Sequence, residues 1–192
     1  DVERWALTLF EVKGDLSPGL HGLIDDWKRK NGDAKQKIAD ALRWVQSDIR
    51  YFGIELGVNS HLPVHPNLTF ERRFGDCKDK SLLLATLLNG MGISAQPALV
   101  SLRFHRGVER KQASPRAFDH VIVRVKLNEK VYWLDPALPT QYGSLDEIGD
   151  SDYGKALLVN SGKGELIDTA QTFSANDVIT VTDTYSVKTY SE

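Results

Sequence analysis

The sequence predicts a domain of the α+β class, with helices in the first half of the chain and strands in the second. Three segments before residue 90 carry apolar residues at helical spacing. After residue 97, three runs rich in aliphatic and aromatic residues are bounded by polar turns. Helices and strands are thus segregated along the chain, which is typical of the α+β class.

The composition is that of an ordinary single globular domain. The chain has 192 residues, of which 41% are hydrophobic and 26% charged. Its net charge of −2, from 24 basic and 26 acidic residues, argues against a nucleic-acid-binding protein that neutralises phosphates. No stretch approaches the roughly 20 apolar residues that cross a bilayer, so we expect no membrane insertion. The first residues lack the sections of a signal peptide, and a lone cysteine does not identify the compartment.

The first two helices are predicted from their caps and apolar stripes. Ser17 is placed as the N-cap of the first helix, Pro18 as its first residue, and the glycine of residues 31–32 at its end. Asp33 is placed as the N-cap of the second helix. The apolar stripe of that helix consists of Ile38, Leu42, Val45, Ile49 and Phe52. Glycine, asparagine and proline then predict a long loop over residues 53–70.

The third helix is predicted over residues 76–89 and should be buried, because leucines cover most of its circumference. A loop with several basic residues, 105–116, is expected to be solvated. The tail at 178–182 alternates and predicts an edge strand or the start of a further domain. The remaining strands are predicted over residues 97–104, 120–127, 130–135 and 156–159.

Three residues in chain order, Cys77, His120 and Asp135, have the chemistry of a thiol nucleophile, its base and the group that orients the base. A thiol at a helix start faces free N–H groups and the positive end of the helix dipole, which favour the thiolate. The same N–H groups can bind the oxyanion formed when a carbonyl is attacked. We expect Asp76 to cap this helix and Asp79 to turn away from the thiol, paired with Arg73 or Lys80.

The spacing of the second and third strands predicts that His120 and Asp135 meet. A two-residue turn at 128–129 pairs Leu127 with Lys130, and in that register both side chains project from the same face of the sheet. Diagonal neighbours lie about 7–8 Å apart, within reach of an imidazole and a carboxylate. A three-residue loop with a bulge would reverse the parity.

Other interpretations of the same residues stay open. A free cysteine is often a structural core residue, a strand histidine is often structural, and an aspartate before proline often forms a turn. Cys77, His120 and Asp135 could also ligate zinc, although no CxxC or HxxxH pair supports that site. The coincidence of three residues with compatible parity favours catalysis without a metal or cofactor. His61 and His65 lie in the predicted loop, where a surface role is favoured over a role in a substrate cleft.

Four segments, residues 48–51, 73–80, 118–121 and 133–136, resemble the bacterial transglutaminase-like superfamily. The Gly-Asp-Cys-Lys-Asp run within the second segment is specific, and the resemblance covers most of the chain, about 16–159. The subgroup that the chain resembles has its core domain between two β-rich domains in cell-envelope proteins.

The resemblance implies a papain-like α+β architecture, with the nucleophile helix packed on an antiparallel sheet. It makes Cys77 the nucleophile, His120 the general base and acid, and Asp135 its orienter. Tyr51 and Gln46 are candidates for completing the oxyanion hole, and Tyr51 is favoured. A periplasmic or cell-envelope location is also implied.

The domain organisation that follows is an N-terminal extension (1–15), a core domain (16–168) and a C-terminal β extension or start of a further domain (169–192). The expected reaction is cysteine-dependent acyl transfer or hydrolysis on peptide or glutamine amides, with a protein or peptide as substrate. Members of the superfamily include cross-linkers, proteases, amidases and inactive scaffolds, so an inactive binding or assembly module is the alternative.

Overall fold

The segregation of helices and strands that the sequence predicts is observed. The structure is a computed structural model that describes residues 1–53, 57–148, 152–159, 162–169 and 181–186. The α-helices of these ranges are α1 (Val2–Phe10), α2 (Pro18–Arg29), α3 (Ala34–Asp48), α4 (Pro66–Arg72) and α5 (Cys77–Gly90). The strands are β1 (Arg50–Tyr51), β2 (Phe74–Gly75), β3 (Ala95–Val100), β4 (His120–Leu127), β5 (Lys130–Leu134), β6 (Lys155–Leu158) and β7 (Leu166–Asp168). Short 3-10 helices cover Gly57–Ser60, His105–Arg110 and Pro115–Ala117.

The main sheet has the order β5-β4-β3-β6-β7, and all neighbouring strands are antiparallel. In the β4–β5 hairpin Leu127 pairs with Lys130 and Val123 with Leu134, so the predicted register is confirmed. Asn128 adopts φ 55°, as the first residue of a tight two-residue hairpin turn requires. This register fixes which face of the sheet each β4 side chain occupies.

Helix α5 lies at the centre of the fold, between α3 and the sheet. All its leucines except Leu82 share one apolar cluster with the α3 stripe and with β4 residues such as Val123 and Val125. Fully burying a leucine contributes about 1.5–3 kcal/mol, so this cluster is the main stabilising core. The Ser81 hydroxyl donates to the Val121 carbonyl oxygen at 2.9 Å and fixes α5 over β4. The first residue of α5 is therefore held beside the first residue of β4.

The caps of α2 and α3 are those predicted, but the end of α3 is not. Ser17 and Asp33 side chains accept backbone hydrogen bonds from Leu20 and Gln36 respectively. Helix α3 ends at Asp48, and Phe52 is 45% exposed instead of completing the stripe. The reason is that β1 pairs in parallel with β2, which draws the chain into an extended conformation.

The predicted loop over 53–70 is wrong at its C-terminal end, where α4 begins at Pro66. The His65 side chain caps this helix by accepting from Asn67 N at 3.2 Å, and proline occupies the first helical position. The predicted strand 97–104 is shifted, because β3 ends at Val100. Asp119 accepts hydrogen bonds from the two backbone N–H groups of residues 102 and 103, which turns the chain away from the sheet.

Residues 1–15 and the C-terminal part of the sheet contain elements that were not predicted. Helix α1 packs Ala6 and Phe10 into an apolar cluster that includes Cys77, and β7 extends the sheet beyond β6. The predicted strand at 178–182 falls on residues 178–180, outside the described ranges, and on residues 181–182, which have no regular secondary structure. The domain boundaries at 15/16 and 168/169 stay predictions. Within the described ranges no helix is both long and apolar enough to cross a bilayer.

Candidate active site

Cys77 occupies the first position of α5, and a capping box holds that position. The Asp76 side chain accepts from the N–H groups of Lys78 and Asp79, and the Asp79 carboxylate accepts from Asp76 N at 3.4 Å. Gly75 is required here, because a Cβ at this residue would lie 2.7 Å from the Cβ of Asp79. The predicted N-cap is confirmed, and the thiol lies where free helix N–H groups and the helix dipole act on it.

The acidic side chains around this helix start each have a cationic partner. Lys78 Nζ forms a buried ion pair with Asp76. Asp79 pairs with Arg72 at 2.7 Å and accepts from Val64 N at 2.8 Å. The predicted partners of Asp79 were wrong because Arg72, in the last turn of α4, reaches the carboxylate. Burial raises the pKa of Asp79, although the hydrogen bond from Val64 opposes the rise.

Lys80 connects α5 to the end of α3 from inside the core. The side chain is fully buried, and its Nζ donates to the Ile49 carbonyl oxygen at 2.6 Å. Burial lowers the pKa of this ammonium to about 8, and the nearby charge of Asp135 acts in the opposite direction. The contact fixes the chain that enters β1, and with it Tyr51, relative to the nucleophile helix.

His120 and Asp135 meet as the hairpin register predicts. His120 Nε2 lies 2.7 Å from Asp135 Oδ2, and the two side chains are 10% and 2% exposed. The remaining oxygen, Oδ1, accepts from Ala137 N at 2.8 Å, and the Tyr153 hydroxyl donates to Oδ2 at 2.5 Å. Because Nε2 is bound to the carboxylate, Nδ1 is the ring nitrogen left to face the thiol of Cys77.

The pair has the charges of an imidazolium and a carboxylate at neutral pH. Burial alone would lower the pKa of His120, but hydrogen bonds and charges of Asp135 and Cys77 outweigh it and raise the pKa to about 10. Burial would raise the pKa of Asp135, but its hydrogen bonds to His120 and Tyr153 hold that pKa below its ordinary value of 3.8. A cationic imidazole beside a cysteine favours the thiolate.

Tyr153 belongs to the site, and sequence reasoning missed it. Its ring stacks on the His120 ring with centroids 5.9 Å apart, and its hydroxyl binds Asp135. Gly154 follows with φ +76°, and a Cβ there would lie 2.4 Å from Arg106 N, so only glycine lets the chain approach this closely. Nothing in the spacing of the sequence connects residue 153 to the β4–β5 hairpin.

The two candidates for completing the oxyanion hole, Gln46 and Tyr51, differ in burial and in hydrogen bonding. Gln46 is buried, and its amide nitrogen donates to Asp135 O at 3.0 Å and to Gln141 Oε1 at 2.9 Å. Both amide hydrogens are therefore engaged in hydrogen bonds, through which Gln46 holds the segment after β5 in place. Tyr51 is 49% exposed and lines a cavity of about 380 Å³ together with His120, Asp135 and Tyr153.

Among the described residues, the backbone N–H of Cys77 has no hydrogen-bond acceptor.

A second cavity, of about 160 Å³, lies over Cys77. Its residues come from α1, α5, β3, β4 and the segments around them: Trp5, Phe10, Ser60, His61, Cys77, Lys78, Leu99, Pro115, Phe118, Asp119, His120 and Val121. Trp5 contacts His61 edge to face, with ring centroids 5.2 Å apart. His61, for which the sequence favoured a surface role, thus lies in the cavity wall. The helical spacing of residues 2, 5, 6, 9 and 10 is the signal that could have revealed α1.

The described residues contain no group of three His, Cys, Asp or Glu side chains arranged to hold a metal ion. Cys77, His120 and Asp135 are arranged instead as a chain, in which the histidine lies between the thiol and the carboxylate.

Comparisons with known proteins identify the fold. No family model and no curated protein matches the sequence. A candidate protease from Parabacteroides distasonis matches with a TM-score of 0.65 and 14% identity, over 87% of this chain and 30% of that one. A candidate cysteine protease from Cytophaga hutchinsonii matches with a TM-score of 0.48 and 14% identity, over 64% of this chain and 38% of that one.

The periplasmic domain of TgpA from Pseudomonas aeruginosa matches with a TM-score of 0.46 and 16% identity, over 70% of this chain and 46% of that one. This chain thus spans less than half the length of each of these structures. At such identities the comparisons concern the fold alone. The chain shares its α+β fold with the Parabacteroides candidate protease.

Proposed function

We propose that this domain catalyses cysteine-dependent acyl transfer or hydrolysis on amides through a thioester. One observation carries the proposal: His120 is hydrogen-bonded at 2.7 Å to a buried Asp135 while Cys77 acts on the same imidazole from the start of α5. Nucleophile, base and orienter in this order are the parts that nucleophilic catalysis needs.

In the first step the Cys77 thiolate attacks the amide carbonyl carbon and forms a carbon–sulfur bond. The Cys77 backbone N–H is a donor for the oxyanion, and Tyr51 is the candidate for a second donor. The carbon–nitrogen bond then breaks, and the His120 imidazolium gives its proton to the departing amine. The acyl group stays on sulfur as a thioester, and Asp135 keeps the imidazole oriented throughout.

In the second step water or an amine resolves the thioester. His120, now neutral, takes a proton from the incoming nucleophile, whose oxygen or nitrogen bonds to the acyl carbon as the carbon–sulfur bond breaks. Water gives hydrolysis, and an amine gives cross-linking or transamidation. The Parabacteroides protein is described as a candidate protease, so peptide hydrolysis is one form of this reaction to be tested.

An inactive binding or assembly module is the second candidate, and the low exposure of Cys77 favours it. The residue is only 5% exposed, so a substrate must reach the thiol through the cavity above it. Cysteine reactivity separates the two candidates, because an inactive module does not require an activated thiol.

The test is the rate at which iodoacetamide alkylates Cys77, followed by intact-protein mass spectrometry across a pH series. Near pH 6 we expect about tenfold or faster alkylation of the unchanged protein than of His120→Ala, because the imidazolium no longer supports the thiolate in the variant. Cys77→Ala checks that labelling is confined to this residue, and His21→Ala, an exposed histidine on α2, is the matched control. Equal rates with and without His120 would reject the catalytic function.

A further inference from the structure

We propose that the cavity over Cys77 binds an aromatic or large aliphatic side chain on the acyl side of the reacting amide. The inference rests on the proposed function and adds a substrate class to it. The cavity, its lining and its relation to the nucleophile each support one part of this assignment.

The walls of the cavity are predominantly apolar. They bring together one face of α1, the inner side of β3 and β4, and the segment that precedes β4. The apolar lining residues are Trp5, Phe10, Leu99, Pro115, Phe118 and Val121. Each contact that a bound side chain makes with these groups removes apolar surface from water, which stabilises the complex.

The charged groups at the cavity margin already have partners. Lys78 Nζ is held in its ion pair with Asp76. The Asp119 carboxylate accepts from Leu102 N at 2.6 Å and from Arg103 N at 3.2 Å. An acidic substrate side chain would therefore lose its hydration without meeting an unpaired cation, because Lys78 and His120 are paired with Asp76 and Asp135. A basic side chain would meet a carboxylate that two backbone N–H groups already engage, so it is disfavoured as well.

The volume suits a single ring. An apolar cavity of about 150 Å³ engineered in another protein binds benzene, and the cavity here measures about 160 Å³. A phenyl ring or a branched aliphatic side chain would fill this space, whereas an alanine side chain would leave most of it empty. A difference of one methylene in such a pocket is worth roughly 10–200-fold in selectivity.

The position of Cys77 assigns the cavity to the acyl side. Cys77 lines this cavity, whereas the larger one beyond His120 is lined by Asp135 and Tyr153 without Cys77. The acyl group stays bonded to sulfur after the first step, while the amine leaves with the proton of His120. The part of the substrate that occupies the cavity lined by Cys77 is therefore the acyl portion.

The test uses acetyl-dipeptide chloromethyl ketones, in which the Cys77 sulfur displaces chloride. Two series place Phe, Leu, Ala, Asp or Lys either at the residue that carries the ketone or at its N-terminal neighbour. We expect Phe and Leu to label Cys77 about tenfold or more faster than Ala, Asp and Lys in one of the series. A preference below about threefold in both series would overturn the proposal.

A pair of tryptophan variants locates the preference in the cavity. Trp5→Ala removes a wall, so the Phe-to-Ala rate ratio should fall by about threefold or more. Trp27→Ala removes a half-buried tryptophan from α2, where it contacts Trp44 away from the site, and should keep the ratio. Thermal unfolding of both variants checks that they are folded. An equal fall of the Phe-to-Ala rate ratio in both variants would contradict the assignment.

Iodoacetamide, which carries no peptide side chain, separates the two proposals. If its reaction depends on His120 but no side-chain preference is found, only the cavity assignment fails. If its reaction is independent of His120, the proposed function fails and the cavity assignment with it.

Discussion

His120 divides the site into a polar side and an apolar side that are built in different ways. The polar side consists of Asp135, Tyr153 and their hydrogen bonds, and every carboxylate contact in it is short and specific. The apolar side is the cavity wall formed mainly by Trp5, Phe10 and Phe118, which are joined by packing alone. The difference separates two tasks: the polar side sets charge and orientation, and the apolar side sets which substrate can reach the sulfur.

The largest loss of turnover is expected when Asp135, at the centre of the polar side, is replaced. Asp135→Asn removes the charge that keeps His120 protonated and oriented, so turnover should fall by about 10²–10⁴-fold. Asp48→Asn, an exposed aspartate at the end of α3, is the matched control and should leave turnover unchanged. The assay is the activity on a substrate found with the peptide series, and a loss below about tenfold would show that the carboxylate is not needed.

Removing one hydrogen bond from the same side should have a smaller effect. Tyr153→Phe deletes a hydrogen bond to a charged group, which contributes about 1.5–3 kcal/mol, so we expect a loss of roughly tenfold or more in turnover. This bond helps hold the pKa of Asp135 below 3.8, so its loss should move the acidic limb of the pH–rate profile to higher pH.

Tyr142→Phe, at a tyrosine that is 80% exposed, provides the control for this change. A Tyr153→Phe profile that keeps both its height and its acidic limb would mean that Tyr153 only fills space.

The raised pKa of His120 predicts how stability depends on pH. In the unfolded chain the imidazole releases its proton near its ordinary pKa of 6.5. In the folded protein it stays protonated until the pH rises to about 10. The stabilisation is therefore complete below pH 6.5 and is lost as pH rises through about 10.

Thermal unfolding of the unchanged protein and of His120→Gln across this range measures the effect, because other titrating groups are common to both. Over this pH range we expect the Tm of the unchanged protein to fall by several degrees more than that of His120→Gln. A domain of this size loses about 2–4 °C of Tm for each kcal/mol of stability. Parallel Tm curves would contradict the raised pKa.

The smallest effect is expected outside both sides of the site. Arg110→Glu reverses an exposed charge in the 3-10 helix His105–Arg110, away from the cavity over Cys77. Turnover should change by less than about twofold, as for most exposed substitutions. A larger change would extend the substrate site to this basic segment and give it a role in recognising acidic groups.

The polar side could largely be predicted because its geometry follows from local rules. A two-residue turn at 128–129 fixes the β4–β5 register, and the register brings His120 to Asp135. The helix cap at Asp76 is likewise a local signal and places Cys77 at the first position of α5. The predicted partners of Asp79 were wrong because the observed partner, Arg72, comes from α4, most of which had been predicted as loop.

The apolar side could not be predicted because it depends on contacts between distant segments. Trp5 and Phe118 are more than a hundred positions apart, and no pattern in either segment specifies the other. Tyr153 was missed for the same reason. The ionisable residues were found because chemistry restricts the types that can act, whereas many apolar residues could form such a wall.

The most direct test of the central arrangement is an NMR titration of the His120 ring nitrogens in the full chain and in Cys77→Ala. Because Asp135 and Cys77 both raise the pKa of His120, the ring should remain protonated beyond about pH 8, with Nε2 hydrogen-bonded to the carboxylate. The Cys77→Ala variant should titrate at lower pH, since it lacks the thiol. Titration near 6.5 in both proteins would contradict a histidine held between Cys77 and Asp135.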